Sequence, residues 1–248
     1  AKSIVDGERT NDREQNDKNK IKGAWKMTSS GTSGTTEMTV IKIMTENYIT
    51  NASYDKSGKE FIGTYGGSYS LKGNKYSEIL EFFTWDSTKV GTTNEFDYKV
   101  TNNKLEISGD RDGGPFKETW ERIDGYNGKS APLAGTWRIR QRREAPDKMN
   151  TMEWGPRKTL KILSNNRFQW IAYNVETKEF FGTGGGTYTS KDGKYLETLE
   201  FFSRDPERVG AQLTFNFEVK GNNWHHKGKS SKGDDIYEVW ERVDQLNN

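Results

Sequence analysis

The sequence predicts an all-β protein that consists of two tandem antiparallel up-and-down β-barrels with about eight strands each. The first observation is an internal repeat, since residues 59–83 recur as residues 178–202 with 16 of 25 positions identical. The second is the succession of short alternating apolar and polar runs between clusters of Gly, Asn, Asp and Ser. The third is the repeat length of about 110 residues, which exceeds the roughly 20 to 50 residues of solenoid and propeller units, so each copy should have its own core.

The alternating runs begin at Ile21 and predict strands joined by tight turns. In the first copy, eight strands are expected near residues 22–29, 36–44, 47–54, 60–70, 75–85, 93–101, 104–108 and 115–123. The second copy repeats the turn residues and adds a longer excursion between Arg143 and Pro156, which is expected to overhang one barrel mouth. Short connections favour meanders, and closing each sheet into a barrel hides both edges, which makes a barrel preferable to a sandwich.

The domain organisation follows from the repeat and from composition. We expect a polar N-terminal leader at residues 1–20, a first barrel at 21–124, a linker at 125–132 and a second barrel at 133–244. This segment is almost entirely polar and is interpreted as a leader or a short helix on the surface, without an assigned function. The linker is Gly-rich and too short for wide independent motion of the two barrels.

Composition limits the possible functions. The net charge of +2, with 31% hydrophobic and 30% charged residues, is unlike the basic surface of a nucleic-acid-binding protein, so no nucleic-acid partner is expected. The sequence contains no run of about 18 apolar residues, so no membrane span is expected. The absence of Cys excludes disulfides, thiolate metal sites and cysteine nucleophiles, and neither a metal nor a cofactor is expected. The first residue is Ala1 rather than Met, which leads us to expect a secreted or periplasmic protein whose export signal was removed.

Several motifs occur in both copies and resemble a known family. A Gly-x-Trp near the first strand (Trp25, Trp137) and an Arg on the last strand (Arg122, Arg242) resemble the terminal motifs of lipocalins and the wider calycin group. With Gly-Thr-x-Gly-Gly-x-Tyr, Lys-Tyr-x-Glu and Glu-x-Trp-Glu-Arg, both copies look like the small lipocalin-like domains of unknown function of Bacteroidetes, which are often exported. The resemblance implies that each Arg packs across its Trp and closes one barrel end, a structural role.

The Lys-Tyr-x-Glu-x-Leu-Glu-Phe-Phe strand provides the candidate ligand-binding residues. Every second side chain of this strand is identical in the two copies, and we expect that face to point into the barrel. Together with a neighbouring tyrosine in each copy and one tryptophan, the candidates are Tyr69, Tyr76, Glu78, Leu80, Phe82, Trp170, Tyr188, Tyr195, Glu197, Leu199 and Phe201. A carboxylate inside a barrel must be paired, so Glu78 and Glu197 belong to an internal polar network, anchor a ligand or act as a general acid or base.

Two other features have structural interpretations. The glycine clusters near Gly66 and Gly185 precede no helix, so they favour a sharp bend or bulge over a phosphate-binding loop. His225 and His226 are adjacent on a strand and therefore point to opposite faces, which favours a solvated pair over a haem or metal site held by one of them.

These observations support three hypotheses about function. The leading one is a non-enzymatic binding protein whose barrels hold a small, partly apolar ligand against aromatic walls and an inward Glu. The alternative is an interaction module with solid barrels that binds a protein or a glycan on its surface or between its domains, which exposed Trp85, Trp154 and Trp170 would favour. The third is a carboxylate-based enzyme, although no catalytic residues are assigned.

Overall fold

The alternating runs after Ile21 form strands joined by short turns. The computed structural model describes residues 2–30, 38–57, 59–230 and 232–243, so residues 1, 31–37, 58, 231 and 244 of the expected segments lie outside the described residues. The leader forms helix α1 (Lys2–Ile21). The strands are β1 (Gly23–Ser30), β2 (Met38–Met44), β3 (Tyr48–Asp55), β4 (Phe61–Lys72), β5 (Lys75–Phe83), β6 (Thr93–Val100), β7 (Lys104–Arg111), β8 (Gly114–Arg122), β9 (Gly135–Ala145), β10 (Lys148–Thr151), β11 (Arg157–Leu163), β12 (Arg167–Asn174), β13 (Phe180–Lys191), β14 (Lys194–Phe202), β15 (Gln212–Lys220), β16 (Asn223–Lys229) and β17 (Asp235–Arg242).

Both sheets close into barrels of consecutive antiparallel neighbours. Barrel 1 contains β1 to β8 and closes by pairing β1 with β8. Barrel 2 contains β9 and β11 to β17 and closes by pairing β9 with β17. The predicted fold class, two tandem up-and-down barrels, is confirmed. Among the described residues, no helix combines the length and the apolar character needed to cross a membrane.

The predicted excursion of the second copy carries one additional strand. The first half of β9 pairs with β11, whereas the second half continues beyond the end of β11 and pairs with β10 in a hairpin. This hairpin extends the barrel wall at the end opposite to Trp137.

One end of each barrel is closed by an Arg and a Trp. The Arg122 guanidinium carbon lies 4.2 Å from the centre of the Trp25 ring, and Arg242 lies 4.2 Å from the ring of Trp137. Arg122 also donates hydrogen bonds to the carbonyl oxygens of Lys20 and Lys22, where α1 joins β1. A cation over an indole face with its N–H groups on backbone carbonyls is a structural arrangement.

A β-bulge at the glycine clusters changes which side chains face the barrel interior. Gly67 pairs with Leu80 and Gly66 with Phe82, so Glu81 has no partner on β4. A Cβ atom on Gly67 would lie 1.9 Å from the Ile79 carbonyl oxygen, which explains why glycine is needed there. The bend interpretation of these glycines therefore holds in the structure.

As a consequence of the bulge, Phe82 points out of barrel 1. It packs in a core shared by the two barrels, with its ring centre 4.9 Å from that of Tyr173. Its counterpart Phe201 lies 5.0 Å from Tyr54 across the same interface. The predicted inward orientation is therefore wrong for Phe82 and Phe201, because the extra residue of the bulge interrupts the alternation on which the prediction depended.

The two barrels share an apolar core between their outer walls. It combines outward side chains of β2, β3 and β5 with the equivalent side chains of β11, β12 and β14. Polar contacts surround it: Thr50 donates to the Gln169 side-chain oxygen at 2.6 Å, and the hydroxyl oxygens of Thr45 and Thr136 lie 2.7 Å apart. The two barrels therefore contact each other through a packed interface.

Candidate functional site

The most distinctive site in the structure is a cavity in barrel 2. It measures about 410 Å³, and its walls include Arg142, Arg143, Lys161, Trp170, Tyr237 and Trp240; we call it the barrel-2 cavity. Arg142 lies five residues further along β9 than Trp137, so the cavity opens at the barrel end opposite to the Trp137–Arg242 pair. Its size falls within the range of small-ligand sites.

Lys161 is a buried cation at the inner part of this cavity. On β11 it pairs with Trp137 on one side and Trp170 on the other, and cross-strand partners point to the same face, so its side chain enters the barrel. The ammonium nitrogen lies within cation–π distance of three rings: 4.9 Å from Trp224, 5.0 Å from Trp240 and 5.4 Å from Tyr195. Lys161 is 7% exposed and forms no hydrogen bond or ion pair with any described residue.

Several polar atoms around Lys161 are also buried without a hydrogen-bond partner. Among the described residues, they include the indole N–H groups of Trp224 and Trp240 and the Nδ1 atom of His226. A buried donor without an acceptor costs about 1–3 kcal/mol relative to a paired one. The barrel interior therefore contains hydrogen-bonding capacity that the protein itself does not use.

His226 lies inside barrel 2, so the expected solvated histidine pair is wrong for this residue. Its ring centre is 4.1 Å from that of Phe215, and burial, reinforced by the charge of Lys161, lowers the pKa of His226 well below its ordinary value. His225 points to the outer face, where its Nδ1 lies 2.9 Å from the Tyr237 hydroxyl. No group of three or more His, Cys, Asp or Glu in the described part of the chain is arranged to hold a metal ion.

Barrel 1 has an equivalent lysine in a more crowded interior. Lys42 lies 4.8 Å from the ring of Trp120 and 5.9 Å from that of Tyr76. Burial lowers the pKa of Lys42, while the carboxylates of Glu118 and Glu78 act in the opposite direction. The corresponding mouth holds a smaller cavity of about 270 Å³.

An ion pair occupies the mouth of barrel 1. Arg111 donates to Glu118 at 2.9 Å, and its guanidinium carbon lies 4.1 Å from the ring of Phe116. Glu118 is 5% exposed, so this is a largely buried pair. The repeat places Ser230 and Ile236 in barrel 2 where barrel 1 has Arg111 and Phe116, and both replacements remove side-chain volume.

A second pair of replacements moves an aromatic ring from one strand to the neighbouring strand. Tyr65 pairs with Asn51 in barrel 1, whereas Gly184 pairs with Trp170 at the same register in barrel 2. The Trp170 ring stacks on Phe202 with the centres 6.5 Å apart. The two copies therefore share a fold but present different cavity walls.

Most of the predicted ligand-binding side chains lie in the barrel interiors and bond to the protein itself. Tyr76 donates to Glu78 at 2.7 Å, and Tyr195 donates to Glu197 at 3.0 Å. Similarly, the hydroxyls of Tyr69 and Tyr188 donate to backbone carbonyl oxygens at 2.6 Å. Leu80 and Leu199 are buried as well. These bonds favour the internal network among the three interpretations of the glutamates.

Trp170 is the predicted site residue that lines the barrel-2 cavity, and the reasoning from sequence missed Lys161 and Trp240 there. A signal was available for the lysine. It stands between apolar residues in both copies, as Val-Ile-Lys-Ile-Met and Thr-Leu-Lys-Ile-Leu, where alternation places it on the face opposite to its immediate neighbours.

Two of the three tryptophans considered for surface binding are exposed. Trp85 is 49% exposed and Trp154 is 38% exposed, whereas Trp170 is partly buried in the wall of barrel 2. Trp85 packs against Phe83 and Tyr65, and Trp154 lies under the Lys158 ammonium at 4.3 Å. Their environments differ, so they do not form one continuous aromatic surface.

Comparison with known families identifies the two copies. Residues 20–129 and 132–248 each match the family model described as Domain of unknown function (DUF4488). The chain belongs to this family. The DUF4488 domain thus occurs here in two tandem copies, each of which folds into an eight-stranded up-and-down barrel.

Solved structures with similar folds include two proteins. A lipocalin-like protein from Bacteroides uniformis is 17% identical, with a TM-score of 0.33, and the match covers 46% of this chain and 100% of that protein. The uncharacterized protein YLR301w from Saccharomyces cerevisiae is 11% identical, with a TM-score of 0.46, and the match covers 89% of this chain and 97% of that one. No protein with a curated function matches this DUF4488 chain.

Proposed function

We propose that this protein is a non-enzymatic binding protein that holds a small, partly apolar ligand in the barrel-2 cavity. The observation that carries the proposal is the combination, at one open barrel mouth, of tryptophan walls with a buried lysine and an indole N–H that have no hydrogen-bond partner among the described residues. Aromatic walls with a few convergent polar groups are typical of small-molecule sites.

The physical argument has an apolar and a polar component. Trp170 and Trp240 supply large, rigid apolar surfaces, which favour any ligand that removes them from water. The indole N–H of Trp240 is buried without a partner among the described residues, and an acceptor atom of a ligand that came within hydrogen-bond distance would offset the cost. Both components act at the same wall of the cavity.

The distribution of carboxylates favours binding over catalysis. In the barrel-2 cavity, Glu238 pairs with Arg142 at 3.3 Å, and Asp235 pairs with Lys229 at 2.5 Å. Deeper in the barrel, Glu197 accepts a hydrogen bond from Tyr195. Glycosidase-type chemistry needs one carboxyl group that donates a proton and a second that faces it across the substrate, and these paired carboxylates favour a structural role instead.

A second candidate function rests on Trp85. Its ring is half exposed at the end of β5, and sugar faces stack on exposed indoles. A glycan would then bind at the mouth of barrel 1, where Trp85 packs on Tyr65 and Phe83, independently of the barrel-2 cavity. On a glycan array, binding of a glycan that is lost in Trp85→Ala and kept in Trp170→Asn would support this candidate.

The experiment that tests the leading proposal is native mass spectrometry of the full chain purified from its own host, followed by denaturing extraction. We expect a stoichiometric adduct of defined mass. The variant Ile236→Phe installs in the cavity wall the residue that barrel 1 has at Phe116, and it should lose the adduct. The exchange in the other barrel, Phe116→Ile, is the matched control and should keep it. A ligand-free mass for the wild type, or an adduct that survives Ile236→Phe, would contradict the proposal.

A further inference from the structure

We infer that the barrel-2 cavity is selective for a small organic carboxylate, whose anionic group is received by Lys161 and the indole N–H of Trp240. The inference rests on the proposed function, because it specifies the class of ligand for the same cavity. It follows from the sign of the polar groups that the cavity presents and from the residues that differ between the two barrels.

The first argument is the charge of Lys161. This ammonium is almost completely buried and has no carboxylate partner within ion-pair distance among the described residues. Three aromatic rings surround it at 4.9 to 5.4 Å, and they replace part of its lost hydration through cation–π attraction. An ammonium ion can donate three hydrogen bonds. Aromatic rings do not accept them as conventional hydrogen-bond acceptors, whereas a carboxylate accepts strong, charge-assisted hydrogen bonds.

The second argument is that the uncommitted groups of the cavity wall are donors. Trp240 offers an N–H without a partner, and indole nitrogen does not accept hydrogen bonds. The acceptors in the wall, Glu238 and Asp235, are already paired with Arg142 and Lys229. A ligand group that only accepts hydrogen bonds, and that carries negative charge, complements this set.

The rim of the cavity is balanced in charge, so the sign preference rests on the inner wall. Arg142 and Arg143 are accompanied there by Asp235 and Glu238. Arg143 lies 5.3 Å from the Tyr237 ring, which contacts His225 on the outer face. Lys161 is therefore the charge that a ligand inside the cavity meets.

The cage of rings argues against a cationic ligand. Aromatic cages of this kind are suited to quaternary ammonium groups, but here Lys161 itself occupies the cage. A second cation would meet the like charge of Lys161, which no described carboxylate neutralises within ion-pair distance. The apolar part of the ligand is expected to lie against Trp170 and Ile236, which supply flat and aliphatic surfaces nearer the mouth.

Barrel 1 explains why the preference should be confined to barrel 2. Its mouth is occupied by the Arg111–Glu118 pair, and the carboxylates of Glu118 and Glu78 both act on Lys42. Lys42 thus already experiences internal negative charge. This makes Lys42 a matched control for Lys161 within the same molecule.

The test is isothermal titration calorimetry of the full chain with two probes of nearly identical shape, naphthalene-2-carboxylate and naphthalene-2-carboxamide, at neutral pH. Loss of a buried charge pair typically weakens binding by about 30-fold or more, so the carboxylate should bind at least that much more tightly than the amide. Lys161→Met should abolish the preference, and Lys42→Met should retain it. Circular dichroism of each variant reports whether it is folded.

Three results would overturn the inference. They are equal affinity of the wild type for acid and amide, an unchanged preference in folded Lys161→Met, and binding of neither probe. If Lys161→Met does not fold, the acid-to-amide ratio of the wild type and its sensitivity to Ile236→Phe decide the question. Equal binding of both probes that Ile236→Phe abolishes would reject the carboxylate preference while leaving the proposed function intact. If neither probe binds, the adduct experiment then tests the proposed function separately.

Discussion

Tyr54 of barrel 1 donates a hydrogen bond of 2.8 Å to the carboxylate of Glu200 in barrel 2, and the structure makes the same contact a second time in the opposite direction. Tyr173 of barrel 2 donates to Glu81 of barrel 1 at 3.1 Å. The repeat places Tyr54 with Tyr173, and Glu81 with Glu200, at equivalent positions. The two barrels thus meet through the same face of each copy, as two subunits do in a twofold-symmetric dimer.

The first prediction concerns this reciprocal contact. Tyr173→Phe should reduce the free energy of unfolding by about 1–2 kcal/mol, because it removes a hydrogen bond to a carboxylate in a partly buried interface. Each carboxylate also pairs with a cation, Glu81 with Lys158 and Glu200 with Arg167. Tyr54→Phe should have a smaller effect, since the Glu200 side chain is 32% exposed whereas the Glu81 side chain is 12% exposed. Urea denaturation measures both. A double-mutant cycle of Tyr54→Phe with Glu200→Gln that shows strict additivity would argue against the contact.

The second prediction concerns the bulge glycines. Gly67→Ala and Gly186→Ala should each destabilise the protein by more than about 3 kcal/mol, because the added Cβ would lie 1.9 or 2.0 Å from a backbone carbonyl oxygen. Gly7→Ala is the control, since nothing lies within 4 Å of its Cβ position on α1 and alanine favours a helix. Thermal melting distinguishes the two classes. Wild-type stability of Gly67→Ala would show that the bulge can relax.

The third prediction is a pH dependence that arises from His226. Its pKa is lowered in the folded state by burial and by Lys161, so below about pH 6.5 the unfolded chain binds more protons than the folded one. The free energy of unfolding should therefore decrease as the pH falls, by at most about 1.4 kcal/mol per pH unit from this residue. His226→Ile, which installs the barrel 1 residue Ile107, should remove that part of the slope.

The measurement for His226 is a series of urea titrations of wild type and His226→Ile between about pH 7.5 and 5.5, a window chosen around the ordinary histidine pKa. His225→Gln measures separately the contribution of the neighbouring ring on the outer face, whose pKa is also lowered, chiefly by burial. Parallel pH curves for wild type and His226→Ile would show that His226 does not titrate with unfolding.

The fourth prediction concerns barrel closure. Arg122→Lys should destabilise the protein by about 1–3 kcal/mol although the charge is kept, because lysine lacks the planar fork that contacts Trp25 and several backbone carbonyls together. Arg242→Lys should behave alike at the end of barrel 2. Arg9→Lys on the exposed face of α1 should be neutral. Differential scanning calorimetry tests all three, and an unchanged melting temperature for Arg122→Lys would contradict the closing role.

Much of the fold was predictable because its determinants are local. Alternation with period two places strands, and Gly, Asn and Asp clusters place turns, so the eight strands expected in the first copy agree with β1 to β8 to within a few residues where the structure describes them. The near-identity of residues 59–83 and 178–202 required that whatever fold one copy adopts, the other adopts too.

The candidate site was less predictable because it depends on contacts between distant strands. Phe82 and Phe201 continue an alternating pattern, yet the bulge turns both outward, since an extra residue leaves no reliable mark on the alternation itself. The sequence around His226 gives no sign of burial. In the structure, β16 forms part of the barrel wall, and His226 lies on the same inward face as Trp224.

By itself, the sequence determined the repeat, the strands, the turns and the closure of two barrels, all of which follow from the local backbone preferences and the alternation of apolar residues. Tertiary structure alone decided that Lys161 lies among Tyr195, Trp224 and Trp240, which come from β14, β16 and β17. The physical reason is that a barrel interior is assembled from side chains far apart in the chain, and its charge balance exists only after the strands have closed.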